Sequence, residues 1–401
     1  MKYHIITYGC QLNRSDSERI ASILESDGYK PASSIKEADL IVVNMCSVRQ
    51  SAVDRIYGLI PKFEKLKNKN LKLKTVLTGC ILKKDRKNFI KKFDQILKVT
   101  DLLKYHPKYR SDFSAFVPIS NGCNNFCAYC VVPFTRGVLI CRPHEDILKE
   151  VDGLIKRGFK EIWLLGQNVN DYHSPIDPSI DFPKLLEIVN EIPGNFWIRF
   201  TSPNPKNFSD ELIAVMTRGK KITPYLNLPV QSGDNKILKK MNRPYTIEQY
   251  KNLVKKIREK ISGISLSTDV IVGFPGETKK QFKDTVKLFK EIKYDMAYIA
   301  KYSPRPQTAA FRLKDNISLE EKERRYKVLS DILKKTALEN NKKHIGNNIE
   351  VLVSKKHNNF LIGKTKAYKT VKFECPKDLV GQFVKVKITN ATPFGLKATL
   401  V

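Results

Sequence analysis

Three times in the first eighty residues a short apolar strand runs straight into a cysteine. Lys2 to Tyr8 leads into Gly9-Cys10, Leu40 to Val43 into Asn44-Met45-Cys46, and Thr75 to Leu77 into Thr78-Gly79-Cys80. From 10 to 46 and from 46 to 80 the intervals are 36 and 34 residues, which suits strand-helix units of a parallel sheet. Helical patterns fill the intervals. A capping box at Ser15-Asp16-Ser17-Glu18 predicts a helix with Ile20, Ile23 and Leu24 on one face, and Val53, Ile56, Leu59 and Ile60 predict a second. In an open parallel sheet the carboxyl ends of the strands share one edge, where ligands bind. Cys10, Cys46 and Cys80 are therefore expected to converge there as a three-thiol site. Three unrelated buried cysteines are the ordinary alternative, and recurrence at the same point of three units argues against it.

A tighter triad follows in the stretch from Ser120 to Val131, where Cys123, Cys127 and Cys130 are separated by three and then two residues. Iron-sulfur clusters are normally anchored by four thiolates and structural zinc by four ligands, so three thiols leave one metal position open for a substrate or cofactor. Positions i, i+4 and i+7 also describe a helical stripe of small buried residues. Asn121-Gly122 and Asn124-Asn125 are turn formers, however, and Phe116 to Ile119 reads as a strand, which puts the cysteines on a loop after it.

At 401 residues the chain exceeds a typical single core and should divide into two or three domains. Seventy-two Lys and Arg against 41 Asp and Glu leave a formal charge of +31, attractive to polyanions over a wide area. Nucleic acid is the expected partner. With no run of about 18 apolar residues and no charged start followed by an apolar segment, the expectation is a cytoplasmic protein with no membrane partner. Eight cysteines in a compartment that keeps thiols reduced favour metal or catalysis over disulfides.

The Cys-x3-Cys-x2-Cys spacing with Tyr129 before the last cysteine resembles the signature of the radical S-adenosylmethionine enzymes. Tyr8-Gly9-Cys10-Gln11-Leu12-Asn13, Asn44-Met45-Cys46-Ser47-Val48-Arg49, Val131-Val132-Pro133-Phe134-Thr135-Arg136-Gly137 and Leu165-Gly166-Gln167-Asn168-Val169-Asn170 resemble its methylthiotransferase family, most of all the branch that makes 2-methylthio-N6-isopentenyladenosine in tRNA. The match runs from about residue 2 to the last. The resemblance implies two 4Fe-4S clusters, one on Cys123, Cys127 and Cys130 and an auxiliary one on Cys10, Cys46 and Cys80. In that superfamily the open iron of the first chelates S-adenosylmethionine, which is cleaved to a 5′-deoxyadenosyl radical. No side-chain nucleophile is required. Cofactor contacts are expected from Tyr129, Gln167, Gly273 and Arg199. Gln167 stands where the superfamily usually touches the amino group of S-adenosylmethionine. The glycines of Gly273 to Thr278 allow close backbone approach to a ligand. Arg199 lies in an apolar strand, where a charge must meet a carboxylate or a phosphate.

The implied fold class is α/β in three parts: a flavodoxin-like parallel-sheet domain over residues 1–110, a partial (β/α)6 radical S-adenosylmethionine barrel over 111–342, and a small antiparallel β-barrel of TRAM type over 343–401. Barrel strands are predicted at Phe116 to Ile119, Glu161 to Leu165, Trp197 to Thr201, Tyr225 to Leu228, Ser265 to Val272 and Met296 to Ala300. Helices are predicted near 145–157, 182–192, 209–217, 246–261 and 279–292, and a connecting helix over 318–342. Residues 81–110 carry weak pattern. Asp234 stands where the family more often has serine, and Gln307 where glycine is common. Arg305 stands where family members acting on tRNA tend to have arginine. Alternating Ile349, Val351, Val353 and Val384, Val386, Ile388 indicate the terminal barrel, with Lys355, Lys356, Lys364, Lys366, Lys369 and Lys372 as its phosphate-contacting surface. Cys141 and Cys375 read as structural.

The expected activity is methylthiolation at carbon 2 of isopentenyladenosine next to the anticodon. Expected partners are the isopentenylated anticodon stem-loop, an electron donor such as flavodoxin or ferredoxin, and a sulfur or cluster donor, with the chain a monomer. The rival is a sibling acting on threonylcarbamoyl-adenosine of tRNA or on a ribosomal protein aspartate. A zinc-stabilised RNA-binding protein explains the charge but not two triads each short of closed zinc coordination.

Overall fold

Lys2–Thr7, Leu40–Cys46 and Lys74–Cys80 lie side by side and parallel, completed at the edges by the two-residue strands Lys30–Pro31 and Gln95–Ile96. The register sets Thr7 opposite Asn44 and Cys46 opposite Cys80. Side chains alternate between faces: Ile41, Val43 and Met45 pack with Val53, Ile56 and Phe89 on one side, and Val42 packs with Tyr3, Ile5 and Ala21 on the other. This computed structural model describes residues 1–99 and 102–401.

The first helix, Gln11–Ser26, starts a turn earlier than its capping pattern suggests, with Cys10 as N-cap. Ser15, Asp16, Ser17 and Glu18 are inside it and buried. Their polar groups serve tertiary contacts: Ser15 Oγ donates to Phe116 O at 3.2 Å, and Ser17 Oγ meets Thr7 Oγ1 at 2.8 Å. The second predicted helix is two, Gln50–Tyr57 and Ile60–Lys69, parted at Gly58 with Pro61 opening the next turn. A further helix, Lys83–Phe89, lies in the lysine-rich stretch that showed little pattern.

Six parallel strands form the central part: Ser114–Pro118, Glu161–Leu165, Trp197–Phe200, Tyr225–Asn227, Ser265–Val272 and Met296–Lys301. The first three and the last three are ladders joined through the Ile198–Ile222 bridge, which leaves the first and last strands at opposite edges. The expected open barrel is therefore present. Helices His144–Lys156, Phe182–Glu191, Asp210–Arg218, Ile247–Lys260 and Lys279–Ile292 cover its outside, burying Ile162, Leu164, Ile198, Phe200 and Val270. A short helix, Asn235–Lys240, was not expected; the Asp234 carboxylate caps it by accepting from Ile237 N at 2.9 Å, a task serine also performs. Helix Leu319–Lys342 leads to a closed antiparallel-rich barrel of five strands around Val351, Val353, Leu361, Phe373 and Ile388. Cys375 is buried in that core and Cys141 packs at the edge of the central one. No helix among the described residues is long and apolar enough to cross a membrane.

Candidate active site

The loop carrying Cys123, Cys127 and Cys130 is held from several sides. Ala128 donates its N–H to Met241 O at 2.9 Å and accepts from Ala310 N at 2.7 Å, while Asn242 Nδ2 donates to the carbonyls of Asn125 and Phe126 at 3.2 and 3.0 Å. Phe274 and Tyr302 pack beneath Ala128. Each thiol receives one N–H: Asn125 Nδ2 on Cys123 at 3.4 Å, Arg243 Nη1 on Cys127 at 3.5 Å, and the Val132 amide on Cys130 at 3.5 Å. Donors aimed at sulfur favour the thiolate that metal binding needs. Burial works the other way and pushes the Cys130 thiol up to about 12.

Cys10, Cys46 and Cys80 meet at the carboxyl edge of the amino-terminal sheet. The hydrogen bond shared by Cys46 and Cys80 lowers the first thiol and raises the second. Gly79 makes their approach possible: at φ +102°, a Cβ there would stand 2.3 Å from Met45 O. Asn13 Oδ1 lies 3.4 Å from Cys10 Sγ and 3.8 Å from Cys80 Sγ, and Arg136 of the central domain donates from Nε to Cys80 Sγ at 2.9 Å.

Cys123, Cys127 and Cys130 line one cavity of about 310 Å³ together with Cys10, while Cys46 and Cys80 are buried behind it. Gln167 Oε1 and Asn168 Nδ2 are buried in this wall without a partner, an acceptor and a donor free for a polar ligand. Among the described residues of the lining, Arg243 is the one cation and Asp269 the one carboxylate. Burial holds Asp269 above the usual carboxylate range, against the hydrogen bond from Asn227 at 2.9 Å. No three His, Cys, Asp or Glu among the described residues form a group that grips a single metal ion. The donor chemistry fits iron-sulfur clusters with one open iron. The unpaired amide groups, cation and carboxylate fit a cofactor with amino and carboxylate ends.

Of the expected cofactor contacts, Tyr129 and Gln167 line the cavity; Arg199 and Gly273 do not. Arg199 is fully buried within its strand, pairing with Glu161 at 2.6 Å and donating to Lys366 O and Thr365 O at 2.8 and 3.0 Å. Its charge meets a carboxylate, and it joins the two barrels instead of touching a cofactor. Gly273 gives its N–H to Glu277 Oε2 at 2.8 Å and lies against Lys322, where a Cβ would come within 2.4 Å. Its freedom serves internal packing.

The terminal lysines divide. Lys355, Lys356 and Lys372 are exposed. Lys369 pairs with Asp295, Lys366 Nζ donates to Lys220 O at 2.6 Å, and Lys364 Nζ donates to Thr370 Oγ1 at 2.7 Å, so these three are committed within the chain. Arg305 is also buried, bonded to Gln50 and to Asp85 at 3.3 Å, and Gln307 keeps the left-handed turn while accepting from Lys83 N at 3.1 Å.

Arg243, Asp269 and Arg136 were given no role from the sequence. Arg136 lies inside the quoted Val131-to-Gly137 wording, and Asp269 is a charge within an apolar strand, the signal that marked Arg199.

Comparison with known proteins gives three family matches: the Radical SAM superfamily over residues 117–289, Uncharacterized protein family UPF0004 over residues 2–100, and the TRAM domain over residues 342–401. The chain is 40% identical to the tRNA-2-methylthio-N(6)-dimethylallyladenosine synthase of Carboxydothermus hydrogenoformans, covering 100% of this chain and 99% of that one. It is 38% identical to the enzyme of the same name from Dictyoglomus thermophilum, covering 100% and 98%. Among solved structures it is similar in fold to the radical S-adenosylmethionine methyltransferase TsrM from Kitasatospora setae, with a TM-score of 0.55 at 14% identity, covering 77% of this chain and 76% of that one.

Proposed function

The chain belongs to the family of tRNA-2-methylthio-N(6)-dimethylallyladenosine synthases, and from that membership we propose that it is a radical S-adenosylmethionine methylthiotransferase acting on carbon 2 of N6-isopentenyladenosine next to the anticodon of tRNA. The observation that carries the reading is the single cavity walled by thiols of both triads. Carbon 2 of the base is neither acidic nor electrophilic enough for acid-base chemistry, so a cofactor must supply the reactivity. Cys123, Cys127 and Cys130 would hold one 4Fe-4S cluster and Cys10, Cys46 and Cys80 the other; when bound, these groups and S-adenosylmethionine supply one-electron cleavage, hydrogen abstraction and the sulfur.

The protein's own part is placement. Asn125, Arg243 and Val132 donate to the three loop thiols and offset their charge. Gln167 Oε1 would accept from the methionyl ammonium, and Arg243 and Asn168 Nδ2 would donate to its carboxylate, a reading supported by the unpartnered amide atoms in the cavity wall. Tyr129 and Leu165 wall the cavity against water. The exposed Lys355, Lys356 and Lys372 would meet tRNA phosphates, Lys356 giving up its 2.8 Å bond to Pro376 O to do so. An outside one-electron donor such as flavodoxin or ferredoxin and an outside sulfur or cluster donor complete the reaction, and the chain works as a cytoplasmic monomer.

The test is anaerobic turnover of anticodon stem-loops bearing isopentenyladenosine, adenosine or threonylcarbamoyl-adenosine, read by nucleoside mass spectrometry. The isopentenyl substrate is expected to be modified and the plain adenosine to react poorly, since the prenyl group offers apolar area worth about 2 to 3 kcal/mol when buried. Preference for threonylcarbamoyl-adenosine, or indifference to the prenyl group, overturns the substrate assignment.

A further inference from the structure

Arg136 belongs to the central domain yet spends its guanidinium on the amino-terminal triad. It is 6% exposed. Nε donates to Cys80 Sγ at 2.9 Å, Nη1 to Asn121 Oδ1 at 2.9 Å, and Nη2 to Asp16 Oδ2 at 2.5 Å and Asn13 Oδ1 at 3.3 Å. The same short segment begins at the other triad, where the Val132 amide meets Cys130 Sγ at 3.5 Å. Only three residues of chain thus separate a donor to one thiol set from a donor to the other.

A plain domain pin needs only the Asp16 pair. The Nε bond does something further, because it puts a buried positive charge directly on the sulfur of an expected cluster ligand. Hydrogen bonds to cluster sulfurs and nearby charge are among the terms that set a cluster's reduction potential. Reduction adds a negative charge, which a buried cation stabilises, so removal of the cation lowers the potential.

Resting on the reading of Cys10, Cys46 and Cys80 as cluster ligands, we propose that Arg136 is a positioning residue that sets the electron affinity of the auxiliary cluster, with Asp16 as the counter-charge that moderates it. The test uses the full chain with Cys123, Cys127 and Cys130 replaced by alanine, so that one cluster remains, and reads iron per chain and the midpoint potential by an electron paramagnetic resonance titration. Arg136→Gln is expected to keep the iron and to lower the reduced-to-oxidised ratio at a fixed potential about tenfold, a shift of about 59 mV for a one-electron couple. Arg136→Lys is expected to recover part of that shift. Asp16→Asn, which leaves the Nε bond in place, is expected to move the potential the opposite way.

Opposite signs from two changes at one contact are not what a structural pin produces. Unmoved potentials with iron retained overturn the role of Arg136, and so do shifts of the same sign from Arg136→Gln and Asp16→Asn. Should Arg136→Gln lose its cluster, the Asp16→Asn shift decides. Absence of iron from the parent variant overturns the ligand assignment itself, and the inference with it.

Discussion

Cys123, Cys127 and Cys130 sit on a single loop whose backbone is clamped by the Met241–Asn242 turn and Ala310 of the same barrel. Cys10, Cys46 and Cys80 instead stand at the ends of three strands and take a donor, Arg136, from another domain. A local triad depends on the conformation of eight consecutive residues. An assembled triad depends on sheet register, on the placement of the first helix, and on the contacts that bolt this helix to the central domain. Those contacts are buried and charged: Arg19 pairs with Glu150 at 3.2 Å, Arg142 reaches the same carboxylate at 2.7 Å, and Asp16 pairs with Arg136. Remote substitutions should therefore disturb the assembled site first.

The largest effect tests the division of chemistry. Replacing Cys123, Cys127 and Cys130 by alanine should halve the iron of a reconstituted chain, from about eight to about four atoms if both clusters are 4Fe-4S, and abolish cleavage of S-adenosylmethionine. Full iron retention removes the loop triad from the ligand set. Replacing Cys10, Cys46 and Cys80 should also halve the iron but leave 5′-deoxyadenosine formation measurable, with no methylthio product. Methylthiolation by that variant would break the comparison outright.

A smaller effect addresses the assembled site's supports. Glu18 is buried with Oε2 unpartnered, and burial raises its pKa to about 7. Between about 4.3, its unfolded value, and about 7 the folded chain binds more protons than the unfolded one, so this residue's contribution to stability falls as pH rises through that window. Glu18→Gln should accordingly stabilise the chain at pH 8 by on the order of 1 to 3 kcal/mol, with the gain fading by about pH 4.5. Urea unfolding at both pH values measures it, and a gain independent of pH contradicts it.

The smallest effect leaves both triads untouched. Replacing Lys355, Lys356 and Lys372 by alanine should make the salt dependence of tRNA binding shallower by roughly 0.7 to 0.9 per lost phosphate contact in the log-log slope. The same changes at Lys366 and Lys369 should cost stability of the joint between the two barrels, and at Lys364 stability within the terminal barrel, because those side chains are committed within the chain. Equal slopes for wild type and the first variant would detach the terminal barrel from RNA.

Period-two and period-three-to-four apolar patterns were enough to read the six barrel strands and most of the covering helices to within about two residues, since each buries one face against the same core. The two-residue edge strands and helix Lys83–Phe89 escaped because they are too short or too charged to carry a period. The Ser15-to-Glu18 pattern misled because serine and acidic side chains accept from buried tertiary donors, here Arg136 on Asp16, Asn44 on Ser17 and the Arg110 amide on Glu18, as readily as from helix ends. Arg199 and Gly273 lie outside the cavity wall for a related reason: a charge in a strand and a glycine in a turn each signal a constrained site, without saying what imposes the constraint.

The sequence by itself determined that two three-thiol sets exist, that one is local and one recurs by strand-helix unit, and that the chain is basic enough for nucleic acid. Spacing, period and composition are properties of neighbours along the chain. Only the tertiary structure decided that Cys10 faces the same cavity as the loop triad, that Arg136 stands at a thiol while Arg199 pairs with Glu161, and which lysines are exposed. Those outcomes depend on which strand ends and domain faces come together. Burial then forces each charge to take the nearest available partner, and that partner is usually distant in sequence.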